Sequence, residues 1–95
     1  MAFDNTQNSN ITTETTVYTP SGTSGTVIGM TVAPTSTDAT VSIKLGTTHL
    51  VKDLVVTAGT SAIPVGGGQK LVVMNGENLT VTSNTAVDVI VSYLE

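Results

Sequence analysis

Short runs of alternating apolar and polar residues dominate the second half of the chain. Between His49 and Glu95 these runs are rich in valine, and Ala-Gly, Gly-Gly-Gly and Asn-Gly sequences separate them. A period of two is typical of half-buried strands, and glycine or asparagine suits the tight turns between them. We predict a compact all-β domain, a β-sandwich or jelly-roll-like fold of about seven to eight short antiparallel strands.

The same alternation predicts which side chains face the core. After Thr26, the apolar residues Ile28, Met30 and Val32 fall on one face of a strand, and a second set shares one face of the next strand: Val41, Ile43 and Leu45. Alternation fails at Lys52-Asp53, which predicts either a β-bulge in the strand from 49 to 56 or a strand that changes neighbours there. Residues 61–65 are expected to pair briefly, and Pro64 favours a position at a sheet edge.

Two further patterns concern the end of the chain. Asn75-Gly76 lies between two apolar runs and predicts a β-hairpin. In the last strand, Val87–Leu94, one face carries valines and Tyr93, and the other carries Asp88, Ile90, Ser92 and Leu94. Ile90 and Leu94 therefore fall on the side expected to face water, which predicts a contact with another molecule.

Residues 1–25 are mostly polar and contain the breakers Pro20-Ser21-Gly22 and Ser24-Gly25. Three interpretations stay open: a flexible tail with a linker, an arm that becomes ordered on a neighbouring subunit, or an ordinary first strand. We divide the chain into an extended N-terminal arm or linker, 1–25, and a β-sandwich domain, 26–95. The arm's apolar residues are its expected contact points: Phe3, Ile11, Val17 and Tyr18.

Composition excludes several classes of protein. The chain has 95 residues, enough for one domain, with no cysteine for a disulfide framework. Its net charge of -4, with three basic residues, disfavours binding to nucleic acid or to anionic membranes. We also expect no transmembrane helix and no secretory signal, since no long apolar run or basic leader is present.

Reactive residues are sparse and scattered. His49 is the only histidine, and a metal site needs several converging ligands. The glycines at 66–68 precede Gln69-Lys70 and then a predicted strand, whereas a phosphate-binding loop leads into a helix. The seven acids show neither a glycosidase pair nor a calcium loop. We predict no catalytic residue, no metal site, no cofactor and no enzymatic activity.

From Thr26 to Glu95 the chain resembles a family of small virion structural proteins of tailed phages, including cyanophages and other phages of aquatic bacteria. The sequences that carry the resemblance are Thr-Val-Ala-Pro-Thr at 31–35, Leu-Val-Lys-Asp at 50–53, the Ala-Gly turn at 58–59, Gly-Gly-Gln-Lys at 67–70 and the final nine residues, 87–95. They are strand and turn residues, with no catalytic core among them.

The resemblance implies a component of a phage particle. We expect a capsid decoration, or cement, protein that binds the outer capsid surface and stabilises contacts between subunits of the major capsid protein. A neck, tail or fibre-base component and a carbohydrate-binding β-module are the alternatives. The expected partners are the major capsid protein and further copies of the chain, preferably as a trimer, with neither nucleic acid nor membrane. The expected location is the virion, after synthesis in the host cytoplasm.

Overall fold

The computed structural model describes residues 2–95 of the protein and contains nine strands and no helix in that range. Met1 lies outside the described residues. The fold is all-β, as predicted, with two antiparallel sheets arranged as a small sandwich. The strands are β1 (Phe3–Ile11), β2 (Thr15–Tyr18), β3 (Ser24–Pro34), β4 (Ala39–Leu45), β5 (Thr48–Val56), β6 (Ala62–Val65), β7 (Leu71–Met74), β8 (Leu79–Ser83) and β9 (Val87–Leu94).

Nine strands make up a five-stranded sheet and a four-stranded sheet. In the five-stranded sheet the order is β1-β9-β3, and β6 and β7 share the far side of β3. The four-stranded sheet has the order β2-β8-β4-β5. Sequence neighbours pair only in β4-β5, so most ladders join distant parts of the chain.

The core between the sheets is built mainly from inward-facing valines. β9 shows the pattern most clearly, because Val87, Val89 and Val91 are buried and Asp88 and Ile90 are exposed. β4 follows it too, with its predicted apolar face against the core. Valine suits this layer because its branched side chain packs well on a pleated surface.

One face assignment is wrong in β3. Val27, Met30 and Val32 are buried there, whereas Ile28 is only partly buried. The ladder between β3 and β9 shifts register between Val27 and Gly29. An extra residue at such a bulge reverses the direction of the side chains beyond it, so simple alternation from Ile28 assigns it to the wrong face.

The predicted irregularities of β5 and β6 are confirmed. The β4-β5 register shifts between Val41 and Ile43, opposite the Lys52-Asp53 segment, and Asp53 has a φ of 53°. The amide of Asp53 donates a 3.0 Å hydrogen bond to Ser42 Oγ, which holds the bulge against β4. β6, which contains Pro64, lies at the edge of the five-stranded sheet.

The predicted Asn75-Gly76 hairpin is wrong. A tight turn does form there, with Glu77 N donating to Met74 O at 3.0 Å, but β7 pairs with β3 while β8 pairs with β2 and β4. Only Gly76 has a positive φ, 89°, in this turn. That is the pattern of a type II turn, whereas the type I′ turn favoured in two-residue hairpins needs positive φ at both central residues. The turn therefore carries the chain from one sheet to the other.

The expectation of an extended N-terminal arm is also wrong for residues 2–25, which belong to the domain; Met1 lies outside the described residues. β1 pairs with β9 from Phe3 to Ile11, and β2 pairs with β8. The expected domain boundary after residue 25 falls inside β3. Of the three interpretations of this segment, the structure agrees with the ordinary first strand. A polar segment can form this strand because its pairing with β9 uses backbone groups and needs no apolar side chains.

Candidate functional site

The outer face of the five-stranded sheet exposes a row of apolar side chains. Phe3 on β1 lies opposite Leu94 on β9, Leu94 lies opposite Thr26 on β3, and Thr26 lies opposite Val72 on β7. Residues directly opposite in antiparallel strands share one face of the sheet. We define the apolar outer face by its five large side chains: Phe3, Val72, Met74, Ile90 and Leu94.

Four of these side chains are exposed to solvent, Leu94 is partly exposed, and the face carries almost no charge. Phe3 is 75% exposed and Ile90 is 48% exposed, with Val72 and Met74 between them in exposure. Neighbouring outward positions on the same strands are neutral, such as Gln7 and Thr31 opposite Ile90. Asp88 is the charged residue on this side of β9, and its carboxylate accepts a 2.9 Å hydrogen bond from Asn10 N. Exposed apolar groups that are contiguous, neutral and rimmed by polar residues are typical of interaction surfaces.

Of the six residues predicted as contacts, three meet on the apolar outer face. Phe3 and Leu94 are cross-strand partners, and Ile90 lies four residues from Leu94 on the same face of β9, with Ser92 between them. The other three, Ile11, Val17 and Tyr18, are buried in the core of their own chain. They are the inward residues of β1 and β2, so they hold these strands in the domain and offer no surface to a neighbour.

A groove runs along the opposite side of β1, where the two sheets part between β1 and β2. Its volume is about 320 Å³, and its lining residues are Thr6, Asn8, Thr16, Val17, Tyr18, Thr19, Ser21, Tyr93 and Glu95. The partly exposed ring of Tyr93 forms its apolar wall, and the buried ring of Tyr18 packs behind it, with centroids 4.4 Å apart and an interplanar angle of 32°. Thr6 Oγ1 donates to Val17 O at 2.6 Å and ties the two edges together.

Glu95 closes one end of this groove with four hydrogen bonds to its carboxylate. Oε1 accepts from Ser21 N at 3.1 Å, Ser21 Oγ at 2.9 Å and Gly22 N at 3.3 Å, and Oε2 accepts from Tyr18 Oη at 3.0 Å. The Ser21 hydroxyl and the other donors hold the pKa of Glu95 below its ordinary value, against a smaller opposing effect of desolvation. Burial and the Glu95 carboxylate raise the pKa of Tyr18. The loop between β2 and β3 is thus fastened to the end of β9.

Replacing this carboxylate should lower stability in a pH-dependent way. The pKa of Glu95 is lower in the folded chain than its ordinary 4.5, so its stabilising effect is present above 4.5 and disappears as pH falls through the folded pKa. We expect Glu95→Gln to lower Tm at pH 7 and to differ less from the parent chain at pH 3. Thermal unfolding followed by circular dichroism across this range measures the difference.

A matched control for this prediction is Glu14→Gln, which removes one negative charge from an exposed ion pair with Lys44 at 3.4 Å. An exposed pair contributes at most about 1 kcal/mol, so its Tm should change little. A Glu95→Gln curve that stays parallel to that of the parent chain down to pH 3 would contradict the role given to the Glu95 carboxylate.

The other candidate positions, His49 and the glycines at 66–68, do not lie in a cluster of reactive or metal-binding side chains among residues 2–95. His49 is exposed near the start of β5, beside a cleft of about 270 Å³ that also contains Glu77 and Leu71. Within residues 2–95 no group of three metal-binding side chains comes together. Gly67 and Gly68 have φ values of 63° and 89° and form the turn between β6 and β7, which leads into a strand and not into a helix.

The tyrosine groove was missed at the sequence level. The sequence pattern assigns Tyr18 to an arm and Tyr93 to the core face of the last strand, and nothing in that pattern places the two rings together. The groove depends on the pairing of β1 with β9. That pairing is made by backbone groups, so the polar segment from Asp4 to Asn10 shows no apolar periodicity that would predict it.

Comparison with known proteins gives no match to this chain, whether with protein-family models, with curated proteins or with solved structures. In the described part of the chain, no helix is long and apolar enough to cross a membrane.

Proposed function

We propose that this protein is a structural component of a phage particle, a capsid decoration protein that attaches to the outer surface of the shell. The apolar outer face is the observation that carries the proposal. It offers a nearly neutral, largely preformed surface that spans the five-stranded sheet from β1 across β9 to β7, and a paired sheet loses little conformational freedom when it docks. The resemblance of residues 26–95 to virion structural proteins supplies the class of partner, the major capsid protein.

The charge distribution supports an outer position on the shell. A net charge of -4 repels packaged DNA, whereas the apolar outer face itself carries little of that charge. Docking through this face therefore leaves the acidic residues in solvent, where they favour solubility. Attachment through a face of this kind can repeat at every equivalent position of a capsid lattice, and the fraction of positions occupied is then set by the affinity of the single contact.

Ile90→Asp should weaken attachment to the particle without unfolding the domain. Burial of the exposed half of Ile90 contributes about 1 kcal/mol, and a carboxylate held against an apolar partner costs more. We expect occupancy on purified particles that lack the protein to fall at least tenfold at equal concentration. Sedimentation of particles with added chain, followed by quantitative mass spectrometry, measures the bound fraction.

Val55→Asp is the matched control, because Val55 is 63% exposed on β5, in the other sheet. It introduces the same charge on an exposed valine and should bind particles as the parent chain does. Equal binding by the Ile90→Asp and parent chains would place the attachment surface elsewhere. A copy number close to that of the major capsid protein supports decoration of the shell, and a few copies per particle supports the neck or tail alternative.

Self-association into a trimer stays a prediction. The same apolar outer face is the surface through which copies would meet, so a residue buried in a contact between copies is not available to the capsid at the same time. Light scattering of the purified chain measures its mass directly, and the Ile90→Asp chain should be monomeric in the same measurement.

A further inference from the structure

The groove between β1 and β2 has hydrogen-bonding groups that the fold leaves unused. Within residues 2–95, the Asn8 side-chain amide and the Thr16 hydroxyl make no hydrogen bond to protein atoms, although both line the groove. Asn8 is half-buried there and lies opposite the core residue Val89. The groove is open to solvent, so this amide and this hydroxyl are accessible to a polar ligand.

We propose that this groove binds a single neutral hexose unit. The Tyr93 ring supplies an apolar surface for the C–H face of the sugar, and tyrosine combines such a surface with a polar edge. Asn8 and Thr16 supply the donors and acceptors for the sugar hydroxyls. The site lies on the opposite side of β1 from the apolar outer face, so the proposal goes beyond attachment to a capsid and does not depend on it.

The charge of the groove selects a neutral ligand. No lysine lines it, and the Glu95 carboxylate lies at one end, so an anionic ligand is repelled. The same carboxylate already accepts four hydrogen bonds from Ser21, Gly22 and Tyr18, so it offers little to a cation. A wholly apolar ligand would leave the Asn8 amide without a partner, which is unfavourable.

The size of the groove favours one sugar ring over a larger ligand. Ligand pockets in proteins span about 300 to 1,000 Å³, and a groove of about 320 Å³ is at the lower end of that range. It is open along the sandwich edge, so a ring at the end of a longer glycan can enter as a free sugar does.

Tyrosine fluorescence gives a specific readout of this site. The chain contains two tyrosines and no tryptophan, and both tyrosines line the groove. Titration of the purified full chain with D-glucose, D-galactose and D-mannose is expected to give a saturable change in emission with at least one of them. The methyl glycosides of the same sugars, which mimic a unit at the end of a glycan, distinguish a glycan-end site from a site for free sugar.

Asn8→Ala and Asn5→Ala form a matched pair on the same strand. Asn8 points to the groove, whereas Asn5 is exposed on the other face, opposite Ser92. We expect roughly tenfold weaker binding in Asn8→Ala and unchanged binding in Asn5→Ala. Thr16→Val, at an exposed position, is a second groove variant that keeps the shape of the side chain and should also weaken binding.

Three results would contradict the proposal, two of them by removing its site or its ligand. One is the absence of a saturable change with any of the neutral sugars up to their solubility limits. The other is binding that Asn8→Ala and Thr16→Val leave unchanged, since the sugar would then lie outside the groove. Binding of N-acetylneuraminic acid, an acidic sugar, as tightly as the neutral hexoses would also contradict the electrostatic argument. Failure of these tests leaves the capsid-binding assay of the Ile90→Asp chain unaffected.

Discussion

Deletion of residues 2–18 is expected to abolish folding of the domain. The deletion removes β1 and β2, together with three core side chains: Ile11, Val17 and Tyr18. Full burial of each contributes about 1.5 to 3 kcal/mol, and a domain of this size is stable by about 5 to 15 kcal/mol in all. The loss is therefore comparable with the whole free energy of unfolding. Far-UV circular dichroism and a thermal melt of the truncated chain should show no cooperative transition.

The truncated chain also discriminates between the two interpretations of the N-terminus. An arm ordered only by neighbours would leave a folded domain after deletion, with Tm within a few degrees of that of the parent chain. A strand of the domain would leave β9 as an uncovered edge, prone to aggregation. Asn5→Ala is a suitable control, because it alters an exposed side chain of β1 and keeps the ladder to β9 intact.

The error at the N-terminus has a physical origin in how β1 is held. The segment from Asp4 to Asn10 is entirely polar, so no hydrophobic periodicity marks it as a strand. Its place is fixed by main-chain hydrogen bonds to β9, and by Ile11 at its end. Backbone pairing is available to any sequence, so composition alone could not reveal it. The sequence predicts Ile11, Val17 and Tyr18 as contact points for a neighbour, whereas the structure buries them in the core of their own chain.

Strands with one face in the core and one face in solvent were predictable, because buried positions are apolar and exposed positions are mostly polar. The alternating valines of β9 and the apolar face of β4 are examples. The connections between strands were less predictable. Asn75-Gly76 does form a tight turn, yet whether the following strand pairs back or crosses to the other sheet depends on distant partners, here β2 and β4 for β8. The contact between the two tyrosines was unpredictable for the same reason. Tyr18 and Tyr93 lie on strands that pair with distant parts of the chain, and no local sequence pattern indicates those pairings.

Gly25→Ala is expected to destabilise the domain severely. Gly25 is buried on β3, and a Cβ added there would overlap the Tyr18 hydroxyl and lie 2.8 Å from Tyr18 Cζ and 3.1 Å from Glu95 Cγ. Tyr18 cannot move aside easily, since it is 3% exposed, packs on Tyr93 and donates to Glu95. Overpacking of a core costs about 1 to 3 kcal/mol, and displacement of the Tyr18 ring would also break its hydrogen bond to Glu95. We expect Tm to fall by at least about 10 °C in a thermal melt.

Gly29→Ala is the control on the same strand, because a Cβ at Gly29 meets nothing within 4 Å. Alanine should be neutral there, or stabilise by about 0.5 to 1 kcal/mol, since glycine within a strand loses more conformational freedom on folding. A double-mutant cycle locates the cause of the Gly25→Ala defect. In a Tyr18→Phe background the overlapping hydroxyl is gone, so Gly25→Ala should cost clearly less than it does in the parent chain. An equal cost in both backgrounds, or a Gly25→Ala chain as stable as Gly29→Ala, would mean that β3 does not approach Tyr18 as closely as the groove requires.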